Sequence, residues 1–131
     1  MTIADRIGDH QARCLPHLLT LRLLARDDAE APSPWLTMAE VTGATEAILA
    51  EAAAAGREVR AVTGSSPGTD IFLGVRLRRL AAAADDAIAA AGTGDFTRLR
   101  RHLHRFEVLT SAIWEVQEAT RPAPAEGPRV W

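Results

Sequence analysis

Apolar residues recur along this chain at spacings of three and four, with polar residues filling the intervals. That period gathers the apolar side chains onto one stripe of an α-helix. Over residues 2–26 the stripe is Ile3, Ile7, His10, Cys14, His17, Leu21 and Leu24, widened by Leu15, Leu18 and Leu19. Pro16 lies inside it. Proline removes a backbone donor and clashes with the preceding turn, so the pattern predicts a kink or break near Leu15, with Pro16 as the first residue of a second helical piece.

The period stops at residues 27–34 (DDAEAPSP), which read as a loop. It resumes after Thr37 and Glu40, whose spacing is that of a capping box. Leu36 and Val41 flank that box as a hydrophobic staple does. Val41, Thr45, Ile48, Ala52, Ala55, Val59 and Val62 form the next stripe, and its alanines let a neighbouring helix approach closely. The run TGSSPG at 63–68 ends it. A third helix is predicted from Thr69 or Asp70, burying Leu73, Leu77, Leu80, Ala84, Ile88 and Ala91, with Gly92 as its C-terminal cap.

The connection Gly92-Thr93-Gly94 is short enough to turn the next helix back on the third. That fourth helix, capped by Asp95 or Thr93, runs to about Thr120 and supplies Phe96, Leu99, Leu103, Phe106, Leu109, Ile113 and Val116. No apolar/polar alternation of the strand type persists anywhere. The expected fold is therefore all-α, an antiparallel four-helix bundle with its first helix kinked or broken at Pro16. Residues 1–120 form one helical domain in this reading. The prolines and glycine of residues 121–131 (RPAPAEGPRVW) predict a mobile tail.

Composition refines this only in places. The chain has 131 residues, enough for one domain with a real core. Its net charge of −2 excludes general polyanion binding and leaves room only for a local basic patch. All fifteen basic side chains are arginine; with the abundant alanine this points to the codon usage of a GC-rich, bacterial genome, the alternative being arginine chosen for bidentate anion contacts. Cys14 is the single cysteine, which excludes an internal disulfide and a cysteine-based zinc site and fits a reducing cytoplasm. The opening MTIADRIGDH lacks the basic and apolar regions of a signal peptide, and no apolar run is long enough for a membrane span. Cytoplasmic localisation and no membrane partner are the expectations.

Three groups of residues carry candidate chemistry. His10, Cys14 and His17 put polar, ligand-type side chains into the first stripe. His10 and His17 lie about 10 Å apart along a helix axis, too far to share one ion with bonds of about 2 Å. In an up-down bundle the fourth helix would bring His102, Glu107 and Gln117 near this seam, together with Thr110. Such a set could line a small-molecule or metal site. The bland alternative is hydrogen-bonded histidines and a cysteine packed as a small hydrophobe. The donors do not complete a recognisable motif, so no metal or cofactor is assigned.

The second group is the basic run in the fourth helix. Arg98, Arg101 and Arg105 share one face that could contact anions such as nucleic-acid phosphates. Salt bridges to Asp85, Asp86 and, from Arg76, Arg78 and Arg79, to Glu107 would neutralise it, so nucleic-acid binding is not expected. The third group is Trp114 and Val108, at the border of the buried face of the fourth helix and candidates for an interface.

No nucleophile motif, phosphate loop or carboxylate dyad is present, so no catalytic residue is assigned and an enzyme is not expected. The sequence points first to a non-catalytic interaction or regulatory bundle that binds a protein partner or itself as a homodimer. The alternative is a small-molecule- or metal-binding bundle using the His/Cys-lined seam between the first and fourth helices.

Overall fold

The computed structural model describes residues 2–26, 33–63 and 67–116. Among them are four helices and no strand: α1 (Ile3–Leu24), α2 (Pro34–Thr63), α3 (Pro67–Thr93) and α4 (Phe96–Trp114). Helices consecutive in the chain pack heavily on one another, while α1 and α4 touch far less. The tail expected at 121–131, Gln117 and most of the loop expected at 27–34 lie outside the described residues.

Local chemistry explains the helix ends. Thr2 caps α1 by accepting from the Asp5 amide, and Asp5 returns the contact by accepting from the Thr2 amide, a capping box of 3.2 and 2.9 Å. This box was not foreseen, although Thr2 and Asp5 have the required spacing. The helix α2 starts one turn earlier than the Thr37/Glu40 pair suggests. Ser33 is the residue before it and its Oγ accepts from the Leu36 amide at 3.4 Å. Pro34 follows as the first helical residue, where a missing N–H costs nothing. Thr37 is then inside the helix, buried, and donates its hydroxyl to the Ser33 carbonyl at 3.0 Å.

At the α3–α4 turn the left-handed residue is Gly94, with φ of 74°, and Gly92 remains helical. Asp95 caps α4 as expected, accepting from the Arg98 amide at 3.0 Å. The chain does not divide at Pro16: α1 is one helix with the proline inside it. The lost hydrogen bond falls on the exposed side of the helix, since Pro16 itself is exposed and solvent can satisfy the freed carbonyl.

The core follows the predicted stripes closely. Ile7, Cys14, Leu21, Val41, Ile48, Ala52, Ala55, Val59, Leu73, Leu80, Leu99, Leu103, Phe106 and Ile113 are all buried. Burying each large side chain contributes roughly 1.5–3 kcal/mol. The interior faces of α2 and α3 are rich in small residues, with Ala44, Ala52 and Ala55 buried on α2 and Ala83, Ala84, Ala87 and Ala91 buried on α3. A Cβ at Gly56 would stand 3.6 Å from the Leu77 side chain, while one at Gly92 would meet Met38 at 3.4 Å. Rising positions in α2 therefore face falling positions in α3. Against α4, Arg22 of α1 reaches Glu107 and Arg76 of α3 reaches Glu115 at the helix end.

The stripe of α1 is narrower than the sequence suggests. Leu18 is buried, but Leu15 and Leu19 are half exposed and Leu23 is 60% exposed. No helix among the described residues is long and apolar enough to cross a membrane.

Candidate functional site

Three regions of the surface and seam hold unusual chemistry, and two of them lie on α1. On the side of α1 that meets α2, His10 is 7% exposed. Its Nδ1 lies 2.6 Å from Glu51 Oε2 and its Nε2 lies 3.0 Å from Glu58 Oε2. Glu51 and Glu58 are seven residues apart on α2, two turns of helix, and the ring bridges that gap. One helical turn along α1, Arg13 donates from Nε to Glu51 Oε1 at 3.1 Å.

The Arg13 Nη2 also stands 2.8 Å from His10 Nδ1. A guanidinium nitrogen only donates, so it bonds the ring only when Nδ1 carries no proton. The 2.6 Å approach of the Glu51 carboxylate instead fits a protonated Nδ1. In the imidazolium form the ring donates to a carboxylate at each nitrogen, and Arg13 acts as a second cation on Glu51. The His10 hydrogen bond, aided by Arg13 and opposed by partial burial, holds the Glu51 carboxyl below the usual glutamate range.

Cys14, one turn beyond His10, is fully buried. Burial, and then the nearby charge of Glu51, push its thiol up to about 11, with Arg13 opposing. At neutral pH it is a thiol, a packing group in place of a nucleophile or ligand. His17 is half buried on the same side of α1. The sequence reading looked for partners of these residues on α4; the partners of His10 come from α2. Thr110, expected near the histidines, is buried and donates to the carbonyl of Phe106 in its own helix at 2.9 Å.

This cluster has the parts of an acid–base site but not the arrangement. A general base needs one ring nitrogen held by a carboxylate and the other facing substrate. Here both nitrogens face carboxylates of the protein. The two carboxylates lie on opposite edges of the ring and do not converge on one point. No group of three or more His, Cys, Asp or Glu side chains among the described residues has metal-holding geometry. The cluster ties α1 to α2 as a clamp would, through charge-assisted hydrogen bonds.

The second region is a groove of about 490 Å³ between the end of α1 and the first half of α4. Arg22, Arg26, Arg100, Arg101 and His104 line it with Glu107, over a floor of Leu21, Ala25 and Leu103. Glu107, proposed from sequence as a seam ligand, is held by Arg22 at 2.6 Å. It therefore does not reach Arg76, Arg78 or Arg79, as the charge pattern suggested. Arg76 instead donates to the Ala112 carbonyl at 3.3 Å and stacks 3.9 Å from the Phe72 ring centre.

Of the anion-contact candidates only Arg101 lines this groove. Arg98 donates to His102 Nε2 at 3.4 Å, and Arg105 is exposed elsewhere on the helix. Arg100 leans over the Phe96 ring at 4.9 Å and donates to the Arg26 carbonyl at 3.4 Å. The structure thus separates Arg98, Arg101 and Arg105 from one another's tasks, and separates His102 from His10 and Cys14.

The third region is the outer face of α1. Leu15, Leu19 and Leu23 are 50%, 55% and 60% exposed and follow one another at four-residue intervals. They form one continuous apolar stripe, where ordinary exposed leucines are scattered singly. Of the interface candidates, Val108 is 56% exposed, but Trp114 is 6% exposed and packs in the core. The indole Nε1 of Trp114 finds no acceptor among the described residues. An interface role for Trp114 is therefore corrected to a core role: it has almost no surface to offer. The leucine stripe was missed because Leu15 and Leu19 were assigned to the buried face; the signal was their offset by one position from Cys14 and Leu18.

Comparison with protein families, with curated proteins and with solved structures finds no match to this chain. Its reading therefore rests on its own geometry.

Proposed function

We propose that this chain is a non-catalytic, self-associating helical bundle of the antiparallel up-down type, an interaction or regulatory protein whose working form is an oligomer. The observation that carries this is the unbroken leucine stripe on the outer face of α1, at Leu15, Leu19 and Leu23. Three leucines in a row on one exposed helix face lower solubility unless they are covered, and a second copy of the chain is the partner always present at matching concentration. The opposed order of facing residues in α2 and α3 supports the antiparallel arrangement. The lone buried thiol of Cys14 supports a reducing, cytoplasmic setting.

The His10 cluster supports the same reading from the other side. Its ring nitrogens are engaged by Glu51 and Glu58, which leaves no lone pair directed at a ligand. Native mass spectrometry and sedimentation velocity test the proposal from micromolar to millimolar protein. We expect a monomer that converts to dimer as concentration rises. A strict monomer over that range overturns it. A stoichiometric metal or small-molecule adduct that disappears in His10→Ala overturns it in favour of a ligand-binding bundle.

A further inference from the structure

The basic residues of α4 and the acids expected to neutralise them do not meet. Between Asp95 and Glu107 the helix carries Arg98, Arg100, Arg101, His102, His104 and Arg105 and no acidic residue. Asp85 and Asp86 of α3, the carboxylates that the charge pattern set against this run, are exposed and form no ion pair among the described residues. Arg101, His104 and Arg105 likewise have no hydrogen-bond or ion-pair partner there. The side chain of Arg98 donates to His102 Nε2 at 3.4 Å, a lone pair that brings no counter-charge.

Only Arg101 borders the groove beside α1, yet all three arginines are exposed and stand three and four residues apart. They therefore fall in one line on the outer side of α4. The line rises about 10 Å from Arg98 to Arg105, with His104 beside it. The opposite side of the helix buries Leu99, Leu103 and Phe106 in the core, which holds the line straight. Glu40, Glu46, Glu51 and Glu58 belong to α2, which packs on α1 and α3 and barely touches α4. Those four acids stand across the bundle from the arginines.

The form of the patch selects its partner. Charges in a row on a convex helix match an extended polyanion better than a single phosphate, which is gripped by a cup. An acidic protein would be expected to need apolar or aromatic anchors, and the first apolar side chain on this line is Val108 at its end. A membrane surface takes up the apolar face of a helix, and that of α4 is already in the core. A single nucleic-acid strand is held by stacking bases on open aromatic rings. Phe96, the nearest ring, is half buried under Arg100 at 4.9 Å. The phosphate backbone of a duplex asks for guanidiniums and for none of these.

We propose that the outer face of α4, through Arg98, Arg101 and Arg105 with His104, docks on the phosphate backbone of duplex nucleic acid without reading its sequence. This surface is not the leucine stripe of α1, so the proposal goes beyond self-association and neither depends on the other.

The test is fluorescence anisotropy of a short labelled DNA duplex of mixed sequence, with circular dichroism to verify the helicity of each variant. Three arginine–phosphate contacts give log affinity a slope of about −2.7 against log salt, a loss of about 40-fold between about 50 and 200 mM. Arg101→Glu is expected to weaken binding by about tenfold or more at low salt and to cut the slope by about 0.9. Arg57→Glu makes the same change of charge at an exposed position of α2 and is expected to shift affinity by no more than about twofold. A single strand of the same composition is expected to bind more weakly. No anisotropy change at low salt up to about 1 mM protein overturns the proposal, as does a loss through Arg57→Glu equal to that through Arg101→Glu. Tighter binding of the single strand overturns it too. Polyglutamate that displaces the labelled duplex as readily as unlabelled duplex does would overturn it in favour of an acidic protein.

Discussion

The helix α1 buries Ile7, Cys14, Leu18 and Leu21 as a bundle helix does, yet it departs from that arrangement on both of its sides. Toward α2 it presents His10 and Arg13, bound to Glu51 and Glu58 in a partly dry seam. Toward solvent it presents Leu15, Leu19 and Leu23. A helix that needed only to fold would carry its leucines inward and its charges outward. The difference separates two tasks. The inward charges specify how α1 sits, because a hydrogen-bonded ring tolerates one register where a leucine tolerates several. The outward leucines contribute little to folding a single chain, and they gain their full burial only against a partner.

This contrast is broken most directly by truncating neighbouring leucines on either side of the boundary. Leu18 is 8% exposed and Leu19 is 55% exposed. Leu18→Ala is expected to cost about 2–5 kcal/mol, because it removes buried methyl groups and leaves a cavity. Urea denaturation at low protein concentration measures it. A loss no larger than that of Leu19→Ala would mean that α1 is rotated from the position described.

His10 comes next. His10→Ala is expected to cost about 1–2 kcal/mol. The side chains of Glu51 and Glu58 are 25% and 35% exposed, so each can turn toward water, and the loss stays below that of a sealed charge. Paired with Glu51→Gln in a double-mutant cycle, it should show a coupling of about 0.5–3 kcal/mol. Additive effects would show that the ring and carboxylate stand close without acting on each other.

How much of this was legible beforehand differs between the two faces for a physical reason. Helical period alone picks out residues such as Ile7, Ile48, Leu80 and Phe106, because each stripe has one centre and the centre is buried whatever the neighbours. It does not say where a stripe ends. Leu15 and Leu19 sit at its edge, and whether an edge residue is covered depends on how closely α4 approaches α1. The sparse contact between those two helices decides that, and no local pattern encodes it. The His10 seam was legible as a polar intrusion but not as a clamp. Glu51 and Glu58 lie on α2, and their seven-residue spacing gains meaning only once α1 is placed beside them. At Pro16 the period predicts a kink or a break; the chain is not divided there, and solvent can satisfy the carbonyl that loses its donor because this side of the helix is exposed.

The clamp also has a pH signature. The Glu51 carboxyl is held below the usual glutamate value in the folded chain, chiefly by the His10 hydrogen bond. A depressed folded pKa contributes stability that is present above the unfolded value of about 4.3 and is lost as pH falls through the lower folded value. Wild type should therefore lose stability through the acid range more steeply than Glu51→Gln, which carries no titrating group there. Thermal melts at stepped pH measure the two slopes. Equal slopes would remove Glu51 from the clamp.

The smallest effect is the one that separates the faces most sharply. In dilute solution Leu19→Ala should change stability by no more than about 0.5 kcal/mol, since the side chain is half in water and alanine is the better helix former. At high concentration the same change should be visible. A dimer that forms only from folded chains stabilises them by mass action, so the wild-type Tm should climb with protein concentration. Leu19→Ala should flatten that climb while leaving the dilute value in place. Leu18→Ala should do the reverse, lowering the Tm at every concentration and keeping the slope. Parallel lines for Leu19→Ala and wild type would mean that the leucines on the outside of α1 serve no second copy of this chain.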